Sequence, residues 1–205
     1  MSTRITNLTC QPLTPEWWTD FEYLFGPRGA CGGCWCMWWK LTNADMEHMK
    51  GDGNRQAQKS FVKAGNVPGI LLYQGSIPIG WCAVEPRENY QRLERSRVLK
   101  PVDDMKVWSI TCFFVAKDFR HQGVTVHLLR AAIGHVSRQG GIILEGYPTN
   151  AITKTVPGAF VYTGLASAFR KSGFTEIARR SKSRPIFRYQ ITAQATGWTE
   201  DKTSL

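Results

Sequence analysis

The stretch C-F-F-V-A-K-D-F-R-H-Q-G-V-T-V-H-L-L, residues 112–129, constrains the fold of this chain more than any other. An apolar run stops at Val115. A short polar loop then ends in Arg120, His121, Gln122 and Gly123, and a helical pattern starts at once. That order predicts a strand, a turn and a helix N-terminus. The first helical turn leaves its N–H groups without intrahelical partners, and the aligned peptide dipoles add partial positive charge. Such a junction binds anions. Gly123, lacking a Cβ, lets the backbone come close to a phosphate. An ordinary strand-to-helix connection has the same outline.

The rest of the chain supplies the elements around it. Residues 3–8 alternate weakly and suit a first strand. Thr14-Pro15-Glu16 resembles a helix start, with Thr14 as cap and Pro15 at the first helical position. Trp17, Trp18, Phe21, Leu24 and Phe25 then recur at helical spacing up to Gly26-Pro27. A polar helical region spans about 43–64, broken at Gly51-Asp52-Gly53. Residues 70–73 and 78–84 read as a hairpin closed by Gly75-Ser76. Residues 86–101 are polar, basic and partly helical. In 107–115, Trp108, Ile110, Cys112 and Phe114 share one face and Val107, Ser109, Thr111, Phe113 and Val115 the other. Both faces are largely apolar, which predicts a central strand. The helix from Val124 carries an apolar stripe and stops at Gly140-Gly141, and a strand from Ile142 completes a right-handed β-α-β unit. A helix over 162–171 and strands over 175–178 and 186–191 follow, with a polar tail from Thr192.

Length and composition bound the function. The chain has 205 residues, 42% of them hydrophobic, enough for one α/β domain with its own core. No apolar run approaches the roughly 20 residues of a membrane span, and the N-terminus has no apolar signal core, so a cytoplasmic protein is expected. The net charge of +10 is concentrated: residues 117–188 hold twelve Lys and Arg against Asp118, Glu145 and Glu176. A phosphorylated ligand is attracted there. No zinc-finger, helix-turn-helix or RNA-binding signature accompanies the charge, so nucleic acid is not the expected partner. Neither is a membrane.

Two blocks now carry a family resemblance. The first is F-F-V (Phe113, Phe114, Val115) followed by R-H-Q-G-V-T and the L-L helix; the second is A-F-R-K-S-G-F, residues 168–174. With the element order, they resemble the GNAT superfamily of acyl-CoA-dependent N-acyltransferases. The resemblance implies an α/β fold of the α+β type: a mixed, mostly antiparallel central sheet splayed at its centre, with helices on both faces. It implies one domain over 1–191, with 1–68 on the acceptor side, 69–191 as the acyl-CoA core, and 192–205 as a tail. Its pyrophosphate loop falls on Arg120, His121, Gln122, Gly123, Val124 and Thr125, where the family pattern prefers Gly or Ala at the last position. Phe113, Phe114 and Val115 would hydrogen-bond the pantetheine arm as an added strand does. The implied acyl donor is acetyl-CoA, the implied acceptor an amine, and no metal is expected. A homodimer is left open.

Acyl transfer to an amine needs a proton acceptor, an oxyanion donor and an acid for the departing thiolate. Glu145 is the only acid in the buried-looking strand I-I-L-E-G-Y-P and is the candidate base, with pairing to a basic neighbour as its other reading. The family's Tyr, four residues before the Gly-Phe step, is here Phe169, which has no proton to give. Tyr162 is the substitute acid, with Tyr147, Thr163 and Ser167 as weaker options. Trp35, Trp38 and Trp39 belong to the segment that would cover the acceptor pocket. Cys31, Cys34 and Cys36 lie in the same segment and, with His48, make a tight zinc pattern or a redox thiol set. The reading against which the enzyme must be weighed is a non-catalytic acyl-CoA-binding or cysteine-based metal- or redox-sensing module on the same fold.

Overall fold

The computed structural model describes residues 5–150 and 161–192. Within them, seven strands form one sheet: β1 (Leu8–Pro12), β2 (Gly69–Gln74), β3 (Ile77–Pro86), β4 (Trp108–Val115), β5 (Ile143–Gly146), β6 (Thr175–Arg179) and β7 (Pro185–Gln190). Their spatial order is β1-β2-β3-β4-β5-β7-β6. Every neighbouring pair is antiparallel except β4 and β5, the parallel strands of the β-α-β unit. The fold is the mixed, mostly antiparallel one expected. The first strand runs from Leu8, which pairs with Gln74 of β2, to Pro12, opposite Ile70; of the expected span 3–8, residues 5–7 precede it and residues 3 and 4 lie outside the described residues. The expected tail lies outside the described residues apart from Thr192.

Helices cover both faces. They are α1 (Trp18–Phe25), α2 (Asn43–His48), α3 (Asp52–Lys63), α4 (Gln91–Glu94), α5 (Val124–Arg138) and α6 (Ala166–Lys171). The stripe of α5 (Leu128, Leu129, Ala132 and Val136) packs on Ile70, Leu72, Val84 and Ile110. The opposite face is aromatic: Phe21, Phe25, Trp35 and Trp81 form one cluster with α1 and the loop after it. Gly80 is small because α5 crosses over it; a Cβ there would sit 3.1 Å from Leu128 and Val124.

Two irregularities place the site. In β3 and β4, Ala83 pairs with Cys112 but Val84 pairs with Ile110, so Thr111 is an extra residue, a β-bulge. The bulge switches faces. Trp108, Ile110, Phe113 and Val115 contact the α5 side, while Cys112 and Phe114 contact the aromatic side. The simple alternation read from the sequence is corrected accordingly. The β4–β5 ladder is also short, ending at Ile110 and Gly146. Beyond it the strands part, and residues 162–165 fill the gap: the Phe113 N–H donates to the Tyr162 carbonyl at 2.6 Å, and the Thr149 N–H to the Gly164 carbonyl at 2.8 Å. The last helix starts at Ala166, so Tyr162 precedes it instead of lying within it. Gly164, at φ +83°, turns the chain there.

One buried side chain couples this fold to pH. His135 is 4% exposed on α5, edge-on to Trp108. Burial, helped by the nearby Arg138 charge, pushes it down from 6.5 to about 4. The neutral imidazole is therefore preferred in the folded state. The stability this represents is full above the unfolded value near 6.5 and is lost as pH falls toward 4. Thermal unfolding between pH 7 and 4 should show a loss of up to about 3 kcal/mol that is absent in His135→Gln.

Candidate active site

The anion cradle forms as the strand–turn–helix order predicts. β4 ends at Val115, and α5 begins at Val124 with Gly123 as its cap at φ +83°. His121 also lies in the left-handed region, at φ +62°. Nothing lies within 4 Å of where a Gly123 Cβ would be, so the cradle opens outward. Arg120 turns its Nε to the Val115 carbonyl at 3.0 Å, and Gln122 bonds the Asp118 carbonyl at 2.8 Å, fixing the loop from both ends. Val124 is buried; Thr125 is half-buried at the first turn.

The β4 residues divide. Phe113 turns its N–H to the gap, where Tyr162 takes it. In the alternation of a strand, Phe114 then turns its polar groups to β3, opposite Trp81, and its ring packs 5.3 Å from Phe25. Phe114 thus belongs to the aromatic core and not to the cleft.

On the aromatic side of the bulge lies a carboxylate that the strand pattern did not single out. Glu85, 2% exposed near the end of β3, pairs with Lys40 Nζ at 2.5 Å and accepts from Asn89 at 3.2 Å. The Tyr90 hydroxyl is buried near Glu85 and Thr111 and makes no hydrogen bond among the described residues. Burial raises Glu85 above the ordinary carboxylate range, and Lys40 only partly offsets it. Burial likewise lowers Lys40, which sits 3.6 Å over the Phe61 ring. The signal was present in the sequence: V-E-P places a lone acid in an apolar strand, as L-E-G does in β5.

Glu145 occupies a different setting. It is 1% exposed and receives three donors: the Tyr147 hydroxyl at 2.7 Å, Arg188 Nε at 2.7 Å and Arg87 Nη1 at 3.4 Å. Arg87 also holds the Leu93 and Leu99 carbonyls, and Arg188 holds both oxygens of Asp103. Tyr147 is buried and bonded to Ser109 as well, so it is part of the same network.

Tyr162 reaches the aromatic side half-buried, with the Arg184 guanidinium 5.7 Å from its ring. Burial raises its phenol, and Arg184 and Arg92 oppose that. Thr163 is buried against Thr149 and Arg184; Ser167 is exposed. Phe169 is a core ring, packed among Phe113, Phe174 and Phe187. Of the three tryptophans, Trp35 is 5% exposed and stacked on Phe25, and Trp39 is 8% exposed beside Tyr90 and Leu93. Only Trp38, at 41%, presents a face, with Arg92 3.9 Å above it. Trp35 also borders an open groove of about 990 Å³ with Tyr23, Arg28 and Lys50.

The cysteines are all free. Cys36 accepts from Trp81 Nε1 at 3.0 Å and lies near Cys112, just past the bulge. The Cys112 thiol holds Cys36 below its ordinary value and is itself pushed well above by Cys36 and by burial. Among the described residues, no three His, Cys, Asp or Glu side chains converge as metal ligands, so Cys31, Cys34 and Cys36 do not meet His48 in a zinc set. No helix among them is long and apolar enough to cross a membrane.

The chain is similar in fold to solved acetyltransferases. A GNAT family acetyltransferase from Streptococcus agalactiae superposes with a TM-score of 0.53 at 12% identity, covering 92% of this chain and 97% of that one. The PaiA N-acetyltransferase of Thermoplasma acidophilum, in complex with coenzyme A, gives 0.50 at 12% identity over 90% and 99%. YncA of Salmonella typhimurium, with its cofactor acetyl-CoA, gives 0.50 at 10% over 93% and 97%. No curated protein matches the sequence. The sequence itself matches the acetyltransferase (GNAT) family over residues 35–154, more than half its length, and the chain therefore belongs to the GNAT acetyltransferase family.

Proposed function

We propose that this protein transfers an acetyl group from acetyl-CoA directly to a primary amine, with both held at once. The observation that carries the reading is the outward-opening cradle at Gly123 at the end of a β4 that is bulged at Thr111 and parts from β5. The residues fit the coenzyme: backbone N–H groups of Arg120, His121, Gln122, Gly123, Val124 and Thr125 suit a pyrophosphate. The exposed edge of β4 at Phe113 and Val115 suits the pantetheine amides once residues 162–164 release the Phe113 N–H. The solved neighbours that hold coenzyme A and acetyl-CoA support this assignment.

Residues of the acceptor side do the proton work. A bulge leaves its extra residue out of the ladder, so β4 has backbone groups to offer an oxyanion at Thr111. The Tyr90 hydroxyl, buried near Thr111 and Glu85 and with no hydrogen-bond partner among the described residues, is free to pass the attacking amine's proton toward Glu85. Glu85, raised by burial, suits a base better than Glu145, whose carboxylate is clamped by two guanidiniums and a phenol. We read Glu145 as the anchor of residues 87–103 and Tyr162 as the acid for the departing thiolate. A phenol held protonated beside the gap can supply that proton.

Glu85→Gln tests the assignment. The kcat is expected to fall about 100-fold. The acidic limb of the kcat/KM profile, set in the wild type by a carboxyl above the ordinary range, should disappear. An unchanged kcat and profile in Glu85→Gln would remove Glu85 from the mechanism.

A further inference from the structure

We infer that Cys31 and Cys34 form a dithiol site that exchanges with small disulfides and closes to an internal disulfide. The site does not depend on acetyl transfer. It is built on the C-G-G-C turn of residues 31–34. The Cys34 N–H donates to the Cys31 carbonyl at 3.2 Å, the bond that closes a four-residue β-turn. Both central residues are left-handed, Gly32 at φ +60° and ψ +28° and Gly33 at φ +70°, as a type I′ turn requires. Such a turn brings its end Cα atoms within about 7 Å of each other. A disulfide spans Cα atoms roughly 4.4–6.8 Å apart, so the pair closes with little backbone movement. The Cys34 thiol already folds back to the Gly29 carbonyl at 3.8 Å, on the Cys31 limb of the loop.

Exposure separates this pair from the other thiols. Cys31 is the one exposed cysteine of the six, and Cys34 is half-buried. Cys36 and Cys82 are buried, and Cys10 and Cys112 are half-buried against the two cores of the sheet. Cys10 and Cys112 stand on β1 and β4 with two strands between them, about 14 Å across the sheet. Nothing lies within 4 Å of where a Gly32 Cβ would be, so the outer side of the turn is open. Gly32 and Gly33 also border the groove of about 990 Å³, which gives a small disulfide a place beside the thiols. Burial raises Cys34, the charge of Cys36 adds to that, and the N–H groups of Cys36 and Cys31 oppose it. Cys31 is therefore the thiol that reacts first and Cys34 the one that resolves.

The exchange balances. The Cys31 thiolate attacks one sulfur of a small disulfide, RSSR; a mixed disulfide forms and the first RS⁻ leaves. The Cys34 thiolate then attacks the Cys31 sulfur, the internal disulfide forms and the second RS⁻ leaves. Two protein thiols are oxidised, RSSR is reduced to two RSH, and the two thiol protons end on the released thiolates.

The test treats the reduced full chain with excess glutathione disulfide, quenches with iodoacetamide, and reads the intact mass and the non-reduced tryptic peptides. The wild type should keep no glutathione and lose two of its six alkylatable thiols. The peptide of residues 29–40 should be lighter by two hydrogens, with Cys36 still alkylated. Dithiothreitol should restore every thiol. Cys34→Ser should instead hold one glutathione on Cys31, and Cys31→Ser should react about tenfold more slowly. Each variant exchanges one sulfur for oxygen, and thermal unfolding checks that it folds. Six thiols left untouched, glutathione retained on Cys31 in the wild type, or a disulfide that uses Cys36 or any other pair overturns the inference. So does oxidation of Cys31→Ser at the wild-type rate.

Discussion

Glu145→Ala should lose about 3–5 kcal/mol of folding stability, the cost typical of leaving a buried ion without its partner. The variant strands Arg87, which is 6% exposed. It also removes one of the two carboxylates that hold Arg188, and the acceptor of the Tyr147 hydroxyl. Because Arg87 holds the Leu93 and Leu99 carbonyls, and Arg188 holds Asp103, residues 87–103 lose their tie to β5 together. A shift in Tm of roughly 10 °C follows for a chain of this size. Glu145→Gln keeps the hydrogen-bonding shape without the charge and should cost less. Urea or thermal unfolding separates the anchor from a base: an anchor moves Tm in both variants, whereas a base leaves Tm in place and removes kcat.

Gly123→Glu should weaken acetyl-CoA binding at least 100-fold while the chain still folds, a factor equal to roughly 2.8 kcal/mol. The open space around Gly123 admits a side chain without a clash, and the φ of +83° charges only a local cost of about 1 kcal/mol. The carboxylate then stands where the pyrophosphate is expected, cancelling the partial positive charge of the α5 N-terminus. At 100 times its Kd, acetyl-CoA should stabilise the wild type by about 2.7 kcal/mol and the variant hardly at all. Gly123→Ala, which adds strain but no charge, should fall between. Equal stabilisation of wild type and Gly123→Glu would place the phosphates elsewhere.

What the sequence revealed depended on how local the cause was. The β4–turn–α5 junction and the β2–β3 hairpin were legible because their periods, glycines and polar turns lie within a few residues of one another. The bulge at Thr111 was not. In W-S-I-T-C-F-F-V both faces are apolar, so a slip of one residue leaves no mark on the pattern, yet it brings Phe113 to the side of Ile110 and sends Cys112 to the other. Tyr162 looked helical, but Gly164 turns the chain before the helix begins, and its small size lets the segment close against Phe113. Glu85 and Glu145 present the same sequence signal. Only the tertiary neighbours distinguish them: Lys40, Tyr90 and Thr111 for one, Arg87, Arg188 and Tyr147 for the other. Trp35 and Trp39, read as acceptor-side rings, are core because α1 and residues 90–93 close over them.

The central claim, catalysis rather than coenzyme binding alone, is tested most directly by following the CoA thiol and the acylated amine together. The full chain would be mixed with acetyl-CoA and a panel of primary amines. The account predicts thiol release that rises with amine concentration and matches N-acetylated product one for one. Saturable acetyl-CoA binding with thiol release no faster than in buffer, whatever the amine, would contradict it and leave a coenzyme-binding module on an acetyltransferase fold.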